Sequence, residues 1–379
     1  MKKTGTLCVH PLTTGNFEGA VTSAILPSAA YNYIDAAELK YPGFYSTYNQ
    51  QRLGQIMAEL EQGQWGMMYS SGMAAISTAI LTFAQHNDHI IFSRDLYGGT
   101  WKFAEEELPK RGITCSYADN NVKSFESLLQ KNTKIIYIET PANPLLNIVP
   151  LQEVAALAKA HGLITIVDNT FASPINQLPL QLGIDISVHS GTKYLGGHND
   201  LPFGALISNN KDHKEQIHRT AKMYGGSLTP YECYMAERSL KTLALRVHKQ
   251  NDNALLLAQH LSGHAAIGRV YYPGLPSHPD HALAAKQMKG FGGMLSFELD
   301  VAPDKLLVFL KALSLIKPAL SLGGVESLIC QPAVTSHRGL TAEDRQRLGI
   351  SDSLLRLSAG IEDAEDLIGD IEAAITKAL

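Results

Sequence analysis

The sequence predicts an α/β fold: a mostly parallel sheet covered by helices on both faces, followed by a smaller C-terminal α/β domain. Three patterns carry this reading. From about residue 65 to about 210 short apolar runs alternate with amphipathic stretches, a long helical pattern over 231–260 then leads away, and a sparser set of strand-like runs follows it. Such alternation implies parallel strands joined by crossover helices, buried on both faces.

In chain order, residues 1–54 show little periodicity and several Gly, Pro, Tyr and Asn residues, so they read as an extended arm. An arm without its own core packs on something else. Strand-like runs then fall at 65–69, 89–92, 113–117, 134–139, 163–168, 186–189 and 203–207, which makes 55–235 a large domain. The stretch 150–161 illustrates the intervening helices: Pro150 suits a first turn, Val154, Leu157 and Ala158 share a face, and Gly162 stops it. Residues 236–379 form the linking helix and the small domain, with strands expected at 270–272, 294–299, 316–320 and 354–357 and helices near 303–313 and 363–378.

Composition narrows the class. A chain of 379 residues with 45% hydrophobic and 18% charged residues can bury a sizeable core. Its net charge of -4 offers no bulk attraction to nucleic acid or to an anionic membrane. Met1 to Cys8 contains basic residues but no apolar core of signal-peptide length, and no later run is long enough to span a bilayer, so a cytoplasmic protein is expected. Cys8, Cys115, Cys233 and Cys330 are scattered, which argues against a disulfide framework or a zinc ribbon. His260 with His264, and His278 with His281, lie near helical spacing without an acidic or cysteine partner at ligand spacing, so no metal site is expected.

The segment Ser187-Val188-His189-Ser190-Gly191-Thr192-Lys193-Tyr194-Leu195-Gly196-Gly197-His198 places one lysine among hydroxyls and glycines directly after an apolar run. A confined, partly desolvated amine is neutral enough to form a Schiff base, and neighbouring hydroxyls can bond a phosphate. Lys193 is therefore a candidate anchor for pyridoxal 5'-phosphate (PLP). Upstream, Leu163-Ile164-Thr165-Ile166-Val167-Asp168 is an apolar strand pattern ending in an acid. Asp168 could pair with the cofactor's ring nitrogen and keep it protonated, although strand-end aspartates also serve as turn formers or caps. Gly72 and Met73 fall where a strand gives way to a helix, so their N–H groups can point at an anion, with Ser190 and Thr192 supplying hydroxyls across the site. Arg356 sits inside Leu354-Leu355-Arg356-Leu357, an apolar strand in which a guanidinium would serve to hold an amino-acid carboxylate.

These residues, with Ser70-Ser71-Gly72-Met73, Leu96-Tyr97-Gly98-Gly99-Thr100, Glu139-Thr140-Pro141-Ala142-Asn143-Pro144, Ser321-Leu322-Gly323-Gly324 and Arg356-Leu357-Ser358-Ala359-Gly360, resemble the Cys/Met-metabolism (trans-sulfuration) family of PLP enzymes, in order along nearly the whole chain. The resemblance implies a type I, aspartate-aminotransferase-like fold with a seven-stranded sheet, and a sulfur amino acid as small-molecule substrate. It gives Lys193 and Tyr97 the catalytic positions, with Tyr97 stacked on the pyridine ring. Asn143 would meet the cofactor's phenolic oxygen and the substrate, and Ser321 would help Arg356 orient the carboxylate. It also implies a homotetramer in which an arm tyrosine reaches the neighbouring subunit's phosphate.

One departure concerns that arm. The family pattern of tyrosine, any residue, arginine has Tyr41-Pro42-Gly43 as its ungapped counterpart, or Tyr45-Ser46-Thr47 with a gap, and neither carries the arginine. Tyr41 is taken as the phosphate-reaching residue, with Arg52 as one group that could supply the missing charge. Two further positions bear on the reaction. Leu320 precedes Ser321, where cystathionine-handling γ-branches of the family have an acid, and Gly99 stands where methionine γ-lyases have a cysteine. Both favour β-elimination of cystathionine to homocysteine, pyruvate and ammonia. A γ-lyase or γ-synthase is the alternative, and the missing arginine leaves room for a non-catalytic, PLP-holding protein.

Overall fold

Apolar runs with β-branched and aromatic residues form the strands of the large sheet: β1 (Trp65–Tyr69), β2 (His89–Ser93), β3 (Thr114–Ala118), β4 (Thr133–Glu139), β5 (Ile164–Asp168), β6 (Ile186–Ser190) and β7 (Gly204–Ser208). The computed structural model describes residues 2–11, 17–339 and 341–379. Strand order is β1-β7-β6-β5-β4-β2-β3, with β7 antiparallel to both neighbours and the other strands parallel to one another. The centre of the sheet shows why these runs lack polar alternation. Ile135 and Tyr137 of β4 join one core, with Ile76 and Ile80 of the helix Gly72–Phe83, while Ile136 and Ile138 join another, with Val154 and Ala158 of the helix Leu151–Ala160. Both faces are covered, so both sets of side chains are apolar. At their carboxyl ends β2, β4, β5 and β6 finish in Ser93, Glu139, Asp168 and Ser190, which puts polar groups along one edge of the sheet, where ligands of such sheets bind.

The single helix expected over 231–260 is two, Pro230–Leu240 and Leu243–Ser262. Arg246 explains how the break is tolerated: its Nη2 donates to Ser239 O at 3.0 Å and its Nη1 to Tyr194 O at 2.7 Å. The small sheet contains β8 (Ile267–Tyr271), β9 (Met294–Leu299), β10 (Lys317–Pro318), β11 (Leu328–Cys330) and β12 (Leu354–Ser358), in the order β10-β11-β12-β9-β8. The run expected at 316–320 pairs over two residues, since Pro318 has no N–H to donate. Helices Pro303–Ala312 and Ala364–Ala378 bury Leu306, Phe309, Leu367 and Ile371 in one core with Phe297 of β9 and Leu257 of the preceding helix.

The arm differs in part from the extended segment expected over 1–54, of which residues 1 and 12–16 lie outside the described residues. Thr4–Val9 is helical, and its Leu7 and Cys8 are buried in the chain's own core with Leu53 and Leu243. The helix Tyr48–Leu60 starts inside the expected arm, opened by a Thr47–Gln50 capping box. Between them, residues 20–41 are irregular and mostly exposed. Among the described residues no helix is long and apolar enough to cross a membrane.

Candidate active site

The lysine segment turns tightly after β6. Gly196 N–H donates to Gly191 O and Gly197 N–H to Lys193 O, both at 2.7 Å, which carries Lys193 back over the carboxyl edge of the sheet. The Ser321–Gly324 loop of the small domain lies directly on this turn: a Cβ on Gly323 would stand 2.8 Å from Tyr194 N. Ser321 adopts a left-handed backbone with φ +87°, a conformation a non-glycine residue holds at a cost. In return Lys193 Nζ donates to Ser321 Oγ at 3.1 Å. Burial, then the neighbouring charge of Arg356, lowers the Lys193 amine to about 8, against the opposing pull of Asp168.

Asp168 is buried at the end of β5. Its Oδ1 accepts from Thr170 N at 3.0 Å and from the Thr170 hydroxyl, and Tyr137 Oη donates to Oδ2 at 3.5 Å. Burial raises its carboxyl above the ordinary value, while the Thr170 bonds and the charge of His189 hold it down. Glu139, its register partner on β4, is pushed well above the carboxylate range by burial and by the Asp168 charge. Glu139 Oε2 accepts from Tyr97 N at 2.6 Å and so fixes the start of the Tyr97-Gly98-Gly99 turn.

The helix Gly72–Phe83 presents its N-terminus to the same edge. Ser71 caps it by accepting from Ala74 N at 3.1 Å, and the amides of Gly72 and Met73 open the helix. Glycine is required here, because a Cβ on Gly72 would stand 2.8 Å from Ser190 Cβ. Ser190 thus lies against the helix start, whereas the Thr192 hydroxyl accepts from Phe203 N at 3.2 Å and lies 3.4 Å from Phe203 O. The half-exposed Tyr97 ring lies over Gly99, where any Cβ would collide with it, and next to Met73.

From the small domain, β12 carries Arg356 into the cluster. Its Nη1 donates to Asn143 Oδ1 at 2.9 Å and its Nη2 to Ser321 O at 3.1 Å, and Nε is buried without a partner. His337 packs nearby and is lowered to about 4 by burial and by that guanidinium. Lys193, Asp168, Gly72, Met73, Tyr97, Asn143, Ser190, Thr192, Ser321 and Arg356 thus come together at the carboxyl edge of the large sheet, beneath the small domain.

The arm tyrosine lies apart. Tyr41 is 51% exposed and packs on Phe44, with ring centroids 5.3 Å apart. Tyr45, the other register, is buried within its own chain, its hydroxyl donating to Gly225 O at 2.8 Å. Arg52 does not stand free to supply a phosphate contact: its Nε pairs with Glu237 at 3.1 Å. His260 and His264 do have an acidic partner, since Glu372 from the last helix meets them at 2.6 and 3.4 Å. Among the described residues no group of three or more His, Cys, Asp or Glu is arranged to hold a metal. Sequence reasoning assigned no role to Glu139, Tyr137, Thr170, Glu61, His189 or His337. Of these only Glu139, an acid ending the apolar run of β4, carried the same signal as Asp168.

A buried, neutralisable lysine, a buried strand-end carboxylate and a glycine-floored helix N-terminus, all on one edge of a parallel sheet, fit an enzyme class that uses a phosphate-bearing aldehyde cofactor. Residues 5–376 match the Cys/Met metabolism PLP-dependent enzyme family, and the chain belongs to it. It is 42% identical to a cystathionine beta-lyase of Lactococcus lactis subsp. cremoris strain MG1363, over 97% of each chain. It is also 42% identical to a cystathionine gamma-lyase of Bacillus subtilis strain 168, over 99% of each. The structure of a cystathionine gamma synthase from Xanthomonas oryzae pv. oryzae in complex with aminoacrylate and cysteine superposes with a TM-score of 0.95 at 39% identity, covering 100% of this chain and 99% of that one. The protein is therefore a PLP-dependent enzyme of carbon–sulfur chemistry with the type I fold.

Proposed function

We propose that the protein is a cystathionine β-lyase, converting cystathionine and water to homocysteine, pyruvate and ammonia. Overall identity does not choose the branch, since a β-lyase and a γ-lyase stand at the same 42%. Two sequence positions support the choice. Leu320, immediately before the serine whose Oγ lies 3.1 Å from Lys193 Nζ, offers no carboxylate. γ-Chemistry requires a second deprotonation, at the β-carbon, and leucine can neither take nor relay that proton. Gly99 beneath the Tyr97 ring likewise adds no thiol.

The residues take the following roles. PLP, when bound, supplies a ring that accepts the electron pair left by removal of the α-proton. The Gly72 and Met73 amides with Ser190 and Thr192 would hold its phosphate, Asp168 would pair with its ring nitrogen, and Tyr97 would stack on the ring. Lys193 would anchor it and would serve as the base for the substrate's α-proton, a task suited to an amine near pKa 8. Arg356, already oriented by Asn143 Oδ1 and Ser321 O, grips the substrate carboxylate, and the buried Nε gains a partner there. Tyr41 reaches the phosphate of a second copy, in a cytoplasmic homotetramer.

Incubating the PLP-loaded protein with cystathionine and identifying the keto acid tests the branch. Pyruvate without 2-oxobutyrate is expected. 2-Oxobutyrate as the main product rejects the β-lyase, dependence on an acylated homoserine plus cysteine marks a synthase, and a yellow protein that turns over no sulfur amino acid is non-catalytic.

A further inference from the structure

The lysine turn and the Ser321–Gly324 loop meet directly, and one helix stands behind both. Where they meet, Val325 N donates to Gly197 O at 3.0 Å and Lys193 Nζ to Ser321 Oγ at 3.1 Å. Behind the lysine turn lies Arg246, on the first turn of the helix Leu243–Ser262 and 4% exposed. Its Nη1 donates to Tyr194 O at 2.7 Å, its Nη2 to Ser239 O at 3.0 Å and its Nε to the Thr242 hydroxyl at 3.1 Å. These three partners are neutral oxygens, and a buried charge without a counter-ion is costly. A neutral donor could bridge the helix break by bonding Ser239 O alone. The guanidinium fork reaches Tyr194 O as well, the carbonyl directly after Lys193. The turn is shaped to receive it, since Gly197 has φ +69° and a Cβ there would collide with the guanidinium.

Gln250 lies four residues further along, on the same face of the helix, and is 0% exposed. Its Nε2 donates to Gly324 O at 2.7 Å, beside the Val325 amide that bonds the lysine turn. Its Oε1 is buried without a partner among the described residues, so the side chain is held for its donor. One helix face thus grips a carbonyl on each side of the Lys193–Ser321 contact. We propose that Arg246 and Gln250 are positioning residues for Lys193, which hold the lysine turn and the serine loop against each other and so shelter the amine from water. The charged groups facing that amine are Arg356 from β12 and Asp168 from β5, alongside the Ser321 hydroxyl. Burial is the largest influence on it, so water admitted between the loops moves its titration upward. The proposal rests on Lys193 being the cofactor's anchor and is independent of which sulfur amino acid is the substrate.

The test is the rate at which the cofactor-free, full-length protein captures added PLP, read from the visible band as a function of pH. The wild-type rate should rise and then level through about 8. In Arg246→Met and in Gln250→Met the midpoint should rise by about one pH unit, toward the ordinary lysine value, because water beside the amine favours its charged form. Leu257→Ala is the control for lost stability. It lies on the same helix and removes packing from the core shared with Phe309, without freeing a carbonyl of either loop. It should lower the urea unfolding midpoint and leave the pH midpoint at the wild-type value. A wild-type pH midpoint in either folded variant overturns the proposal and leaves the anchor standing. An equal rise in Leu257→Ala also overturns it, since that would mark a merely structural role. If Arg246→Met does not fold, Gln250→Met decides alone. The anchor is judged separately: a visible band in Lys193→Ala would remove Lys193 from that role, and this proposal with it.

Discussion

The role proposed for Lys193 joins two demands that a surface lysine cannot meet, since such an amine must be neutral to attack an aldehyde and basic enough to take a proton. Burial resolves them by lowering the amine to about 8 from its ordinary 10.5. Because burial penalises the charged form, the nucleophilic fraction grows as pH rises through about 8 and then levels. The rate at which the cofactor-free protein captures PLP should follow that curve when monitored by visible absorbance, and a rate still climbing tenfold per unit at pH 9 would contradict it. Lys193→Ala should lose the visible band and nearly all turnover. Near-normal activity in that variant would overturn the assignment. Lys193, Asp168 and Arg356 were legible in the sequence because each is a polar residue set at the edge of, or inside, an apolar run. Glu61 and His189 were not: one ends a helix, the other sits beside Ser187 and Ser190, and their pairing spans 128 positions.

At the level of elements, a pair of glycines joins the helix Tyr48–Leu60 to β1. A Cβ on Gly66 would stand 2.5 Å from Gly54 O, and one on Gly54 would collide with Gly66 O. Glycine in the middle of a helix costs about 0.5–1 kcal/mol relative to alanine, so close approach is the reason for both. Gly54→Ala should therefore lower stability by about 1–3 kcal/mol in place of the gain an open helix site would give. The midpoint of urea unfolding checks this, and an unchanged or higher midpoint would show that the contact is looser than described. The seven large-sheet strands could be read because most are apolar runs bounded by polar residues. The break at Lys241–Thr242 could not, since no Gly or Pro marks it and Arg246 repairs it from a distance. The helix Lys211–Tyr224 was missed for its polarity, with Ile217 and Ala221 its buried residues. β11 has three residues, too few to show a period.

At the scale of the whole molecule, the arm side exposes apolar side chains. Val21, Tyr33, Ile34 and Leu39 are more than half exposed, as are Met223 and Tyr224 at the end of the helix packed against the Pro42–Phe44 turn. In the proposed assembly a second copy covers these side chains, as exposed apolar patches are covered at contact faces, bringing Tyr41 to that copy's phosphate cup. The structure separates two functions that deletion of the whole arm would confuse. Leu7 and Cys8 belong to the chain's own core, so removing residues 1–50 would damage the fold as well as the contact. Tyr41→Ala avoids this, because the ring is 51% exposed and its backbone N–H donates to Ser46 Oγ at 3.0 Å regardless of side chain. The variant should keep the wild-type unfolding midpoint in its cofactor-free form yet bind PLP about tenfold more weakly, the scale of one lost hydrogen bond to a charged group. Equilibrium dialysis gives the affinity and sedimentation velocity the assembly state. If PLP binds Tyr41→Ala as tightly as the native chain while the assembly is intact, the phosphate cup is closed within one subunit and the shared site is wrong.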